Sequence, residues 1–166
     1  LMAGLGLRGV NIGLPGAGPH VVQTVTRLAE EIRDAKLDLL PNCAARTVAA
    51  DIRPVAEIQQ KTGVQIEVST FIGSSRIRAY TEDWDLATLL RHSVDALKFA
   101  RGEGLSVMFV TEDTTRADPE TLVKLAQLVV QHRRDFPWQI LALHPIQPID
   151  RLLDFSRAAF QLGGHH

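Results

Sequence analysis

The amino-acid sequence predicts an α/β chain in which parallel strands alternate with helices, and three observations predict it. Short apolar, β-branched runs recur along the chain, each followed by a polar or glycine-rich turn. Most of those turns lead into a stretch whose apolar residues recur at helical spacing. The run Leu105 to Val110 then stops where Thr111, Glu112, Asp113, Thr114, Thr115 and Arg116 begin. Such groups lose hydration on burial unless each finds a partner, so water or a ligand lies at that strand end. In parallel sheets, ligands collect at the carboxyl ends of the strands.

Taken in order, Val10 to Leu14 is a strand that ends in Pro15-Gly16-Ala17-Gly18-Pro19. Val21, Val22, Val25, Leu28, Ala29 and Ile32 follow at helical spacing, with Pro19 suited to the first turn. Leu37 to Leu40 is the second strand, Pro41 to Arg46 its turn, and Asp51 to Lys61 the next helix, closed by Gly63 as a C-cap. Val64 to Phe71 alternates as a half-buried strand should. It ends in Gly73-Ser74-Ser75, and a long polar connection leads to a helix from Leu86 to Arg101, ended by Gly102 and Gly104. Leu105 to Val110 is the fourth strand. Asp118-Pro119-Glu120 starts a helix with an N-cap aspartate and proline at the first position. A fifth strand at Trp138 to Leu143 and a last helix at Ile149 to Phe160 complete the pattern.

At 166 residues and 45% hydrophobic content, the chain can build one well-buried core, and a single domain over residues 1–166 is expected. A formal net charge of −1 argues against a nucleic-acid-binding surface, since Arg76 and Arg78 make only a local basic spot. The single cysteine, Cys43, excludes an internal disulfide, and no apolar stretch approaches the ~20 residues a spanning helix needs. A cytoplasmic, reducing compartment without membrane contact is therefore expected. The opening Leu1-Met2-Ala3 lacks a signal-peptide pattern and reads as part of a longer polypeptide.

Four segments carry a resemblance. Gly13 to Pro19, Asn42 to Arg46, Ser69 to Ser75 and Thr111 to Pro119 resemble, in this order, successive strand ends of the DRE-TIM metallolyase family, in its 2-isopropylmalate and homocitrate synthase branch. The resemblance covers roughly residues 1–133. It implies a partial (β/α)8 TIM barrel comprising strands two to about six. It also implies a parent enzyme in which a divalent metal (Mg, Mn or Zn) binds a 2-oxo acid, and the enolate of acetyl-CoA attacks its ketone. By the same resemblance Glu112 is the catalytic carboxylate, while Arg46, Asn42, Ser69 and Thr111 line the substrate. Arg46 suits a carboxylate because a guanidinium fork binds it bidentately. Asn42 and Ser69 stand where relatives often use histidine.

The departures from the family pattern matter equally. The first-strand Asp-Arg-Glu or Leu-Arg-Asp-Gly element, with its metal carboxylate and catalytic arginine, would lie before Leu1. The His-x-His pair is absent, because His20, His92, His132 and His144 stand alone and His165-His166 is adjacent and terminal. His144-Pro145-Ile146-Gln147 replaces the family's Asp-Thr-Val-Gly run, and Met108 and Val110 replace residues that are more polar in some relatives. No metal ligand is therefore assigned, and the chain is expected to be an inactive part of an acyltransferase. Two open sheet edges make self-association a further expectation.

Other readings stay open at this point. Glu112 and Asp113 can be a carboxylate pair satisfied by Arg116 or backbone amides, and Arg46 a plain surface ion pair. Gly13 to Pro19 can be a tight turn or a phosphate-holding one, though it lacks the ending of a P-loop. Cys43 fits a small packed residue better than a nucleophile, and Trp84 and Trp138 fit packing anchors. The whole chain can instead be a non-catalytic binding or scaffold module, or an open doubly wound phosphate-binding domain.

Overall fold

The computed structural model describes residues 2–132 and the strand Gln139–Ile140. Five strands form one sheet: β1 (Gly9–Gly13), β2 (Leu40–Arg46), β3 (Glu67–Gly73), β4 (Ser106–Glu112) and β5 (Gln139–Ile140). Every neighbouring pair is parallel, and the order across the sheet is the order along the chain. A doubly wound open sheet requires a reversal of strand order, so that alternative falls. What remains is a sector of a (β/α)8 barrel wall, as expected.

The helices are α1 (Pro19–Asp34), α2 (Ala49–Thr62), α3 (Arg76–Glu82), α4 (Leu86–Gly102) and α5 (Pro119–Gln131). Cys43, Ala45, Val68, Ile72, Val107 and Phe109 alternate along the strands and pack on Val25, Ala29, Ile52, Val55, Leu97 and Leu125 of the helices. Burying each large aliphatic side chain contributes about 1.5–3 kcal/mol, so this outer face is what holds sheet and helices together. Gly13, at φ 141°, lets α1 come close, because a Cβ there would lie 2.8 Å from Val25 Cγ2. Between helices, the Arg53 guanidinium sits 4.9 Å from the centre of the Phe99 ring. Away from the strand ends, Gln59 accepts from Ile66 N–H at 3.0 Å and donates to the Gly104 carbonyl at 3.3 Å, tying the entries of β3 and β4 to α2.

Several element boundaries differ from expectation, each for a physical reason. β2 starts at Leu40 and includes Pro41 to Arg46, read above as a turn. Proline is tolerated there because pairing with β3 begins only at Asn42, so Pro41 faces a ladder partner on the β1 side alone. β4 likewise runs on through Thr111 and Glu112, because polar side chains do not stop a ladder whose backbone partners Ile72 and Gly73 continue. The long polar connection contains α3, which has no buried residue and hence no apolar periodicity to reveal it. Asp118 occupies the N-cap position of α5 but its carboxylate caps nothing, since it takes Arg76 Nη2 at 3.1 Å. The Gly63 C-cap is as expected, left-handed at φ 71° with its N–H on the Gln59 carbonyl at 2.8 Å. The strand at 138–143 is described only at Gln139–Ile140, and His144 and the helix at 149–160 lie outside the described residues. No helix among the described residues is long and apolar enough to cross a membrane.

Thr70 Oγ1, fully buried on the outer face of β3, makes no hydrogen bond to any described residue. An unmade hydrogen bond leaves the desolvation cost uncompensated. Thr70→Val keeps the shape and removes the hydroxyl, and is expected to stabilise the fold by about 1 kcal/mol. Urea denaturation would show this as a higher midpoint at unchanged slope.

Candidate functional site

Strand alternation sorts the expected site residues onto two faces. Register aligns Asn42 with Glu67 and Ser106, Ala44 with Ser69 and Met108, Arg46 with Phe71 and Val110, and Gly73 with Glu112. These rows form the inner face, opposite the helices. Thr111 has the other parity, alongside Ile72. Its hydroxyl meets Thr114 Oγ1 at 2.8 Å, within the turn that follows β4. The structure thus brings Asn42, Ser69, Arg46 and Glu112 to one face and leaves Thr111 off it.

A polar row crosses three strands of that face. Asn11 Nδ2 donates to Asn42 Oδ1 at 2.8 Å, Ser69 Oγ donates to the same oxygen at 3.4 Å, and Gly13 N–H donates to Asn11 Oδ1 at 3.1 Å. Both donors converge on the Asn42 oxygen. Its Nδ2 therefore keeps two N–H groups with no partner among the described residues. Asn11 was missed in the sequence; the signal was a lone amide in an otherwise apolar strand. Glu67, also on this face, has its carboxyl pushed above the usual range by burial.

Arg46 stands at the end of β2, and its fork is taken. Nε meets Asp51 Oδ2 at 2.7 Å and Nη2 meets Oδ1 at 2.8 Å, while the Arg46 backbone N–H also reaches Oδ2 at 3.2 Å. Asp51 is only 3% exposed, and a carboxylate accepting three hydrogen bonds is held below its usual pKa by the Arg46 side chain first and its backbone second. Gly16 completes the arrangement, because a Cβ there would come within 2.6 Å of Asp51 Cγ. The turn Pro15–Ala17 thus closes directly over this carboxylate, which is the tight-turn reading of Gly13 to Pro19. Arg46 can take a substrate carboxylate only by giving up Asp51 or through Nη1.

Glu112 is different. It is exposed at the carboxyl end of β4, and its side chain makes no hydrogen bond or ion pair among the described residues. Its carbonyl is held firmly, accepting from Ser74 N–H at 3.1 Å and Ser74 Oγ at 2.9 Å. Asp113 is the satisfied member of the pair. The Ser75 hydroxyl, and then Arg116 with Nε at 2.6 Å, lower its pKa.

Gly73 and α3 complete the rim. A Cβ on Gly73 would point to the inner face and meet Arg78 Cγ at 2.6 Å and Nε at 2.8 Å. Arg78 therefore lies across the end of β3, next in register to Glu112. Ser75 pins its backbone, accepting from Arg78 N–H at 3.3 Å. Beyond the rim, a cleft of about 90 Å³ opens between α3, the start of α4 and the start of α5, lined by Ser75, Arg76, Trp84, Leu89 and Asp118.

Metal ligands do not converge. Among the described residues no three His, Cys, Asp or Glu side chains come together as a metal site. His92 lies 5.1 Å from the Trp84 ring, and His132 bonds the Leu128 carbonyl at 2.8 Å. Cys43 is buried with its thiol pushed up to about 12 by desolvation, so no thiolate is available at neutral pH.

Comparison with known proteins agrees with this architecture. The HMGL-like family model matches residues 1–133. A 2-isopropylmalate synthase of Methylacidiphilum infernorum is 25% identical over 131 residues, covering 78% of this chain and 25% of that protein. A 2-isopropylmalate synthase of Vibrio atlanticus is 28% identical over 133 residues, covering 76% and 24%. A homocitrate synthase of Sulfolobus acidocaldarius is 24% identical over 131 residues, covering 77% and 26%. The chain spans about a quarter of the length of these relatives.

Two substitutions report on the Asp51 arrangement. Asp51→Asn is expected to destabilise the fold by about 1–3 kcal/mol at pH 7, toward the lower end because Arg46 is largely exposed and screened. The folded pKa of Asp51 lies below its unfolded value, so its contribution is complete above about pH 4 and is lost as pH falls through the folded pKa. The stability gap between wild type and Asp51→Asn should be flat from about pH 5 to pH 8 and close below about pH 4. Gly16→Ala, which overpacks the same carboxylate, should cost about 1–3 kcal/mol by denaturant unfolding.

Proposed function

This chain belongs to the HMGL-like family, and on that premise we propose that it forms part of the barrel wall of an acyltransferase that condenses acetyl-CoA with a 2-oxo acid. The observation that carries the proposal is the free Nδ2 of Asn42, aimed from the inner face by the hydrogen bonds its oxygen accepts from Asn11 and Ser69. A pre-oriented donor pair on the inner face, in the row of Glu67 and Ser106, suits an oxygen acceptor of a bound ligand. Glu112, at the carboxyl end of β4 and well beyond the Asn42 row in register, is the group able to hold or move a proton at the rim, being a carboxylate with no competing partner among the described residues. Phe71, Met108 and Val110 on the same face supply an apolar wall for a small aliphatic group.

The divalent metal of such chemistry has no fitting ligand set among the described residues, and none of these roles passes through it. We place that set elsewhere in a longer polypeptide, of which this chain is the wall. The outer edge of β1 has no strand neighbour among the described residues, so a second chain or further strands should cover it. Size-exclusion chromatography of the 166-residue chain is expected to show self-association; a monomer at high concentration would count against that edge as a contact surface.

A second reading, a binding module that keeps the wall without the chemistry, is favoured by the Asp51 carboxylate that occupies Arg46. Free-thiol release from acetyl-CoA in the presence of a 2-oxo acid separates the two. In the intact gene product, turnover is expected to fall by about 100-fold or more in Glu112→Gln and about tenfold in Asn42→Ala. Binding of a 2-oxo acid without turnover would favour the module; turnover that ignores both substitutions would remove these residues from the site.

A further inference from the structure

We propose that Arg78 is the residue that anchors the carboxylate of the 2-oxo acid, an inference that rests on the acyl-transfer reading above. Four observations converge on it. Gly73, the last residue of β3, has the parity of the inner face, and the space its missing side chain leaves is filled by Arg78, whose Cγ and Nε would stand 2.6 and 2.8 Å from a Cβ there. The guanidinium stem is therefore laid across the mouth of the barrel wall and not away from it. Gly73 is in register with Glu112, so cation and free carboxylate flank the same strand ends. They make no ion pair with one another among the described residues, so neither neutralises the other.

The third observation is how Arg78 is held. Its backbone N–H is bound by Ser75 Oγ, and Ser75 also supports the Asp113 carboxylate at the end of β4. Arg78 thus starts from a fixed point on the rim. The fourth is the weakness of its existing partner. Nη2 meets Glu82 Oε1 at 3.2 Å, an i,i+4 pair along a short helix with both side chains only partly buried. Such pairs are worth about a factor of two in an equilibrium constant, so a substrate carboxylate displaces Glu82 readily. Arg46 is held at two points by a buried carboxylate, and exchange there would leave Asp51 buried and unpaired. Compared with Arg46, Arg78 is the arginine whose fork is available for bidentate capture.

Isothermal titration of the intact gene product with 2-oxobutyrate, and with its uncharged methyl ester, tests this directly. Arg78→Ala is expected to weaken the acid roughly tenfold or more while leaving the ester unchanged, and Arg78→Lys to recover part of the loss. Glu82→Gln, which frees the guanidinium without disturbing the core, should leave affinity for the acid equal or raise it by about a factor of two. Equal affinity of wild type and Arg78→Ala for the acid would overturn the assignment and leave the acyl-transfer reading standing. Weaker binding in Glu82→Gln would likewise overturn it. A wild-type protein with no affinity for 2-oxobutyrate or its longer homologues would overturn both.

Discussion

Asp51 is where three separate parts of the chain are made to agree. Its buried carboxylate takes the Arg46 side chain at two points and the Arg46 backbone at a third, and the Pro15–Ala17 turn rests directly on it. β1 exits into that turn, β2 ends at Arg46, and α2 begins at Ala49, so one side chain sets the relative height of two strand ends and a helix. A buried charge is costly unless fully paired, and this one is paired by a partner whose head reaches solvent. The arrangement resists slippage because none of its groups has an equivalent partner one residue away.

With those ends aligned, the inner face becomes a graded surface. Toward the strand entries Asn11, Asn42, Glu67 and Ser106 form one row, and Ser69, one step further along, joins its amides by a hydrogen bond to Asn42. At the exits stand Arg46, Glu112 and Arg78. The polar groups differ in how far they are satisfied by the protein itself. Asp51 and Asp113 are engaged and serve the scaffold, whereas the Asn42 Nδ2 and the Glu112 carboxylate have bonding capacity that no described residue takes up. That unused capacity, set on a wall held by a well-packed outer face, distinguishes the groups fit for a ligand from those that only look polar in the sequence.

The same contrast explains why α3 matters. It buries nothing and contributes little to the core, yet its Ser75 cap and the gap above Gly73 place an arginine over the strand ends. A short helix with little burial is tolerant of small adjustments, which is consistent with the carboxylate-anchoring role proposed for Arg78.

By itself, the sequence determined the alternation of strands and helices, the helix-stop at Gly63, the start of α5 at Pro119 and the polar character of the β4 exit, because each depends on local periodicity, backbone freedom or hydration. The family resemblance was legible too. Only the tertiary structure decided which residues share a face. A shift of one position along a strand reverses the side, and so Thr111 and Glu112, adjacent in sequence, serve opposite surfaces. It also decided partnership. That Arg46 is claimed by Asp51, that Asn11 orients Asn42 across a strand boundary, and that Gly73 makes room for Arg78 are contacts between elements, and a one-dimensional pattern carries no distance between them.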